Sequence, residues 1–121
     1  MDKPHRKLDV WHKSVEFAAE IYKVTKEFPT DERYVLVSQM RRAAVSIPSN
    51  LAEGAARGTN ELIQFVRIAI ASASELDTQL KICRRLGYLS EDVYHCLDKE
   101  LTQIDRMLIG LRKSLLREHT K

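Results

Sequence analysis

Ser46, Ser49 and Glu53 fall within one stretch, Met40 to Gly58 (MRRAAVSIPSNLAEGAARG), and two hydroxyls beside a carboxylate could supply parts of a hydrolytic site. A serine nucleophile needs a base to take its proton. The histidines stand far off in the sequence, at His5, His12, His95 and His119, and neither serine sits in a Gly-x-Ser-x-Gly turn. Glu91 with His95, and Asp92 with Cys96, are one helical turn apart, the spacing at which a helix offers two ligands to one metal ion. A di-iron bundle needs carboxylates on four helices and two Glu-x-x-His pairs, and the chain contains no Glu-x-x-His. Glycines at 54, 58, 87 and 110 are too scattered for a phosphate loop or a dinucleotide fingerprint. These patterns argue against an enzyme. The histidines read as solvated side chains and the cysteines, Cys83 and Cys96, as reduced core or boundary residues; no metal, cofactor or small-molecule substrate is expected.

The basic residues offer a different chemistry. Lysine and arginine neutralise backbone phosphates without reading sequence. The candidates for such contacts are Arg57, Arg112, Lys113 and Arg117, with the adjacent Arg41 and Arg42 as an alternative patch. The total of 20 basic against 17 acidic residues, net +3, is compatible with nucleic-acid contact and does not demonstrate it. Few aromatic residues lie near the first group, so a base-reading mode is not expected there.

Four helices must position these groups. With 121 residues, 44% hydrophobic and 31% charged, the chain reads as one soluble domain, 1–121. The N-terminus MDKPHRKLDVWHKSVEF lacks the apolar core of a signal peptide, and no window approaches 18 uninterrupted apolar residues. A cytoplasmic protein with no membrane partner is therefore expected. Val10, Phe17, Ile21, Val24 and Phe28 recur at helical steps and predict a first helix over about 9–28, ending before Pro29. Helix 2, about 32–57, is expected to start from Asp31 as N-cap and to carry Leu36, Met40, Ala43, Ala44, Ile47, Leu51 and Ala55 inward before Gly58. Thr59 or Asn60 is expected to cap helix 3, about 60–86, with Leu62, Phe65, Ala69, Ser72, Leu76, Leu80 or Gln79, Cys83 and Leu86 in its core series. Ser90 caps helix 4, about 91–117, with Leu89 stapled onto Tyr94 and a heptad series from Leu97 to Leu115.

Short connections force antiparallel neighbours, and the expected fold is all-α, an up-down-up-down four-helix bundle. Only the ends, roughly the first seven residues and the last few, are expected to lie outside it. Proline at 48 withdraws the N–H that Ala44 C=O would accept and costs about 3 kcal/mol unless the helix bends, so a kink near Ala44 to Pro48 is predicted. The alternative is two helices meeting at Ser46 to Ser49, because residues before proline favour extended geometry.

On that bundle the end holding both termini gathers Lys3, Arg6, Lys7, Lys13, Arg57, Arg67, Arg112, Lys113, Arg117 and Lys121 against Asp2, Asp9, Glu16, Glu53, Glu61 and Glu118. The surplus is about +4, while the other half is near neutral. Cations in the last turn of helix 4 also complement its dipole without any ligand. Helix 1 carries a second apolar series, Trp11, Val15, Ala18 and Tyr22, which either sinks into its own bundle or meets a neighbour. A polar row on helix 2, Gln39, Arg42, Ser46, Ser49, Asn50, Glu53 and Arg57, recurs at near-heptad spacing; it would simply be wet in a monomer, and in an assembly of subunits Arg42, Glu53 and Arg57 are expected to fix register.

Trp11 and Ser14, Ile21-Tyr22, Phe28-Pro29, Tyr34, Gln39-Met40-Arg41-Arg42-Ala43, Ser46-Ile47-Pro48-Ser49-Asn50, Ala52-Glu53-Gly54, Arg57, Phe65, Glu75-Leu76 and Leu86-Gly87-Tyr88 form a dense pattern covering most of the chain. With these residues the sequence resembles the bacterial four-helix-bundle family of ribosomal RNA intervening-sequence proteins. Val35 and Ala71 stand where that family typically has glycine. The resemblance implies a kinked four-helix bundle assembled into a homopentamer. It extends, more distantly, to the accessory variability proteins of diversity-generating retroelements, which work with nucleic acid. The expected function is a non-enzymatic, pentameric nucleic-acid-associated protein contacting RNA or DNA backbone, and the alternative is a protein-protein interaction scaffold without direct nucleic-acid binding. Trp11, Val15, Tyr22, Arg42, Glu53 and Arg57 are the expected subunit contacts.

Overall fold

Four α-helices account for nearly the whole chain: α1 (Asp9–Thr25), α2 (Ser38–Arg57), α3 (Thr59–Leu86) and α4 (Glu91–His119). The structure, a computed structural model, describes residues 3–119. Each helix packs against the next and α4 closes on α1, which is the antiparallel up-down-up-down bundle expected from the short connections. Ile21 of α1, Met40, Ile47 and Leu51 of α2, Val66, Leu76 and Leu80 of α3, and Ile104 and Leu108 of α4 are sealed in one core. Most of the helical periods read in the sequence meet there, but on α3 it is Val66 rather than the half-buried Phe65 that is sealed, and Leu86 is 52% exposed. Gln79 and Leu80 are both buried, so α3 widens its inward face at that turn.

The start of helix 2 differs from expectation. Asp31 caps nothing; it lies in a 3-10 turn, Thr30–Glu32, followed by a π-helical turn, Arg33–Val37, and regular α-helix begins only at Ser38. The wide turn lets adjacent Leu36 and Val37 both face the core while Arg33, Tyr34 and Val35 point outward. Helix 1 also stops early, at Thr25 rather than 28. Pro29 restricts Phe28 to extended geometry, and the chain tightens ahead of it into i to i−3 bonds, Lys26 N to Lys23 O at 3.3 Å and Phe28 N to Thr25 O at 3.2 Å.

Pro48 is buried inside α2 with helix on both sides, so the two-helix alternative does not hold. Asn50 Nδ2 donates to Ser46 O at 2.7 Å and to Ser46 Oγ at 2.8 Å, within the turn around the proline. Ser46 Oγ and Ser72 Oγ, 2.8 Å apart, join that turn to α3. One residue, Gly58, connects α2 to α3, with φ +115° and ψ 176°. Neither Thr59 nor Asn60 caps α3; the reversal is so tight that Gly58 itself occupies the cap position, its carbonyl accepting Leu62 N–H at 2.9 Å. Gly87 ends α3 in the left-handed region, with Gly87 N to Arg84 O at 3.1 Å and Tyr88 N to Cys83 O at 3.0 Å. Ser90 caps α4 as expected, Val93 N–H donating to its Oγ at 3.2 Å, and Leu89 and Tyr94 are both buried.

The N-terminal segment is not loose. Pro4–Lys7 forms a 3-10 turn that packs on α2; the His5 ring lies 4.7 Å from Trp11, and His12 Nε2 is 2.8 Å from Arg6 O. At the far end Arg84 forks onto Glu91 at 2.8 and 3.1 Å and covers the Tyr94 ring at 4.4 Å, while Tyr88 Oη donates to Glu32 at 2.9 Å. The Arg84 hydrogen bond holds the Glu91 carboxyl below its usual range.

Two glycines give opposite expectations. A Cβ on Gly54 would stand 2.7 Å from Phe65 Cβ and 3.0 Å from Leu62 Cα, so Gly54→Ala should destabilise by about 1–3 kcal/mol. Gly110, with open space around it in α4, should gain up to about 1 kcal/mol as alanine. Thermal unfolding of both variants checks the pair. For pH, Glu91 contributes its stabilisation above the ordinary carboxylate range and loses it as pH falls through its lowered pKa. Asp105 moves the other way, raised by burial and then by Asp77, so its penalty is relieved by acid. Arg84→Ala should therefore flatten the Glu91 part of the acid loss, read from denaturation midpoints against pH.

Candidate nucleic-acid interface

The start of α1, the end of α2, the start of α3 and the end of α4 share one end of the bundle, so the antiparallel topology brings the basic rim together. Asp2 and Lys121 lie outside the described residues. The rest of the set is nine cations against five anions, preserving the surplus of +4. Arg57 is held in place: Nη2 meets Glu53 Oε1 at 2.9 Å and the guanidinium lies 5.3 Å over the Phe65 ring. More than half of its side chain still reaches solvent. Lys113 and Arg117, one turn apart, are exposed. Arg112 is half-buried, and its Nε finds no acceptor among the described residues. The rim is thus an accessible strip formed by Arg57, Lys113 and Arg117, with Arg112 set deeper.

Arg41 does not belong to a free phosphate patch. Its Nε donates to Thr25 Oγ1 at 3.0 Å and its Nη2 to Tyr22 O at 3.2 Å, and its guanidinium covers the Tyr22 ring at 4.5 Å. It closes the last turn of α1, whose carbonyls have no further helical N–H to accept. Thr25 Oγ1 in turn donates to Ile21 O at 2.7 Å. Arg42, one residue on, is exposed and lines a groove of about 690 Å³ together with Tyr22, Arg33, Tyr34, Arg41 and Val45. Arg33 and Tyr34 were not among the site residues expected from sequence. Arg33 falls in phase with the apolar series of helix 2 and Tyr34 stood out only within the family pattern, and neither fact reveals what they face.

Of the expected subunit contacts, Val15 and Tyr22 are 40% and 41% exposed, whereas Trp11 is half-buried beneath His5. The polar row on α2 divides. Gln39, Arg42, Ser49, Glu53 and Arg57 face solvent, while Ser46 and Asn50 are half-buried, Ser46 bonding across to Ser72 of α3 and Asn50 bonding back to Ser46. The sequence period placed all seven on one broad face; the contact with Ser72 draws Ser46 inward, and Asn50 is tied to it through Ser46.

The candidate chemical groups are committed elsewhere. Ser46 Oγ is engaged by Ser72 and Asn50, and Glu91 by Arg84, with His95 Nε2 at 3.4 Å from the same carboxylate. Among the described residues no group of three or more His, Cys, Asp or Glu is placed to hold a metal ion. Cys83 is buried, with Sγ 3.4 Å from Met40 Sδ, and burial followed by the Glu32 charge pushes its pKa up to about 11. Cys96 is exposed. Alkylation with iodoacetamide near neutral pH should label Cys96 in the folded protein and Cys83 only after unfolding, as peptide mass mapping will show.

Comparison with known proteins adds identity to this geometry. No curated protein matches the chain. The crystal structure of a protein with unknown function from the S23 ribosomal protein family of Bacteroides thetaiotaomicron is similar, with a TM-score of 0.79 and 28% identity, covering 86% of this chain and 95% of that one. The model of the family described as 23S rRNA-intervening sequence protein matches residues 6–110. Neither description indicates an enzymatic activity. A match across most of the chain, on a four-helix bundle of the same shape, establishes that the protein belongs to the 23S rRNA-intervening sequence protein family.

Proposed function

We propose that this protein is a non-enzymatic cytoplasmic homopentamer that associates with RNA by contacting backbone phosphates through its basic rim. The observation that carries this reading is the gathering of Arg57, Lys113 and Arg117 at one end of the bundle, in a family named for ribosomal RNA. Phosphate contact needs accessible cations rather than a shaped pocket, and a ring of subunits would repeat a modest patch around one rim. Among the described residues no helix is long and apolar enough to cross a membrane.

Assembly is supported by apolar surface on two sides of the subunit. A cyclic pentamer joins unlike faces, so each subunit needs two patches. Val15 on α1 is one; Ile68 and Ile82 on α3, 47% and 44% exposed and fourteen residues apart on one helix face, are the other. The α1 and α3 helices stand diagonally in the bundle, which suits contacts to two neighbours. Trp11 borders the first patch, and the exposed Glu53–Arg57 ion pair at the end of α2 would fix register between subunits. Tyr22 and Arg42, the other expected contacts, also line the groove. The same exposed isoleucines favour the second reading, a scaffold for another protein.

Light scattering should give five 14.0 kDa chains, about 70 kDa, and a clean monomer would overturn the pentamer. RNA affinity should fall steeply between low and moderate salt, and Lys113→Ala with Arg117→Ala should make that dependence shallower. Affinity indifferent to salt would remove the phosphate reading. Protein partners that survive nuclease treatment, with no RNA affinity, would establish the scaffold.

A further inference from the structure

Arg33, Arg41 and Arg42 converge where the last turns of α1 meet the π turn and the start of α2. The groove between them, about 690 Å³, lies within the range of roughly 300–1,000 Å³ typical of ligand sites. Two tyrosines, Tyr22 and Tyr34, share its lining, and no Asp or Glu does. Three cations without a lining carboxylate make a site for an anion. Arg41 is fixed by its bonds to Thr25 and Tyr22, so one charge is already oriented before any ligand arrives. The side chains of Arg33 and Arg42 are exposed and make no hydrogen bond or ion pair among the described residues. They can turn to a ligand without losing a partner.

Tyr34 adds what a phosphate patch lacks. Its side chain is 86% exposed, next to Arg33 in the chain, and it shares the groove lining with Arg42. It lies in the π turn, where Leu36 and Val37 are buried and Arg33 and Tyr34 stay on the outer side. An exposed aromatic face flanked by cations suits a polymer that alternates flat bases with phosphates. We propose that this groove takes a short single-stranded run of nucleic acid, a base stacking on Tyr34 while Arg33 and Arg42 pair with neighbouring phosphates. The proposal rests on the nucleic-acid reading above but places sequence-tolerant contact away from the basic rim. A duplex keeps its bases stacked and cannot use the ring. An acidic peptide would satisfy the arginines but leave the aromatic face without a matching flat group.

Binding of a fluorescein-labelled oligouridylate by the full-length protein, with a duplex of equal length alongside, tests this. Tyr34→Ala should weaken single-strand binding at least about fivefold without changing its salt slope, while Tyr34→Phe retains wild-type affinity. Arg42→Ala should lower the slope of log affinity against log salt by about 0.7, the signature of one lost single-strand phosphate contact. Tyr34 is so exposed that an unchanged melting temperature should accompany each tyrosine variant. Wild-type affinity in Tyr34→Ala overturns the groove but leaves the rim intact if Lys113→Ala with Arg117→Ala still weakens binding. Absence of binding to both the oligouridylate and the duplex overturns both. Preference for duplex, tighter binding of polyglutamate, or altered assembly mass in Tyr34→Ala with RNA affinity preserved also overturns the groove.

Discussion

The close approach of α2 to α3 constrains everything else in this bundle. Gly58 reverses the chain in a single residue, so the two helices must leave that joint already in contact. Gly54 makes this possible four residues earlier, where its missing side chain admits Phe65 and the Leu62 backbone. Ala43, Ala44, Ala69 and Ala73 continue the small-residue seam, and the Ser46–Ser72 hydrogen bond fixes its register. With these helices locked together, α1 and α4 need only supply the remaining walls.

The proline in α2 becomes tolerable in that setting. Its missing N–H leaves the Ala44 carbonyl without its usual donor, and an isolated helix would fray there. Burial of Ile47, Pro48 and Leu51 offsets the loss, and Asn50 reinforces the same turn by bonding back to Ser46. At the other end of α2 the irregular turns have a different cause. Pro29 prevents a smooth entry, and the core takes Leu36 and Val37 together, so the chain passes through 3-10 and π geometry before settling into α-helix. The outward side of that transition is where Arg33 and Tyr34 come to line the groove.

Charge is divided between two kinds of work. Arg41 and Arg84 serve the fold, one closing the last turn of α1 and the other clasping α3 to α4 through Glu91. Arg57 is intermediate, paired with Glu53 yet still largely open to solvent. Lys113 and Arg42 stand outward at separate places, the rim and the groove. Counting basic residues cannot separate these roles, because an arginine bonded to backbone carbonyls and one facing water carry the same formal charge.

Helix number, direction and most core positions were legible in the sequence because helical burial repeats every three to four residues and short connections leave few topologies. Ser90 as a cap and Gly58 and Gly87 as helix ends were legible for a local reason: each acts on the backbone within a few residues of itself. Asp31, Thr59 and Asn60 misled because capping preference is weak against a proline-led entry and a one-residue reversal. The engagement of Arg41 with Tyr22 and Thr25, and of Ser46 with Ser72, spans 16 to 26 residues of sequence. No local period encodes such partners. The sequence by itself determined an all-α bundle with a basic end; only tertiary packing decided which arginines hold the fold together and which face solvent, because that depends on groups brought near from other helices.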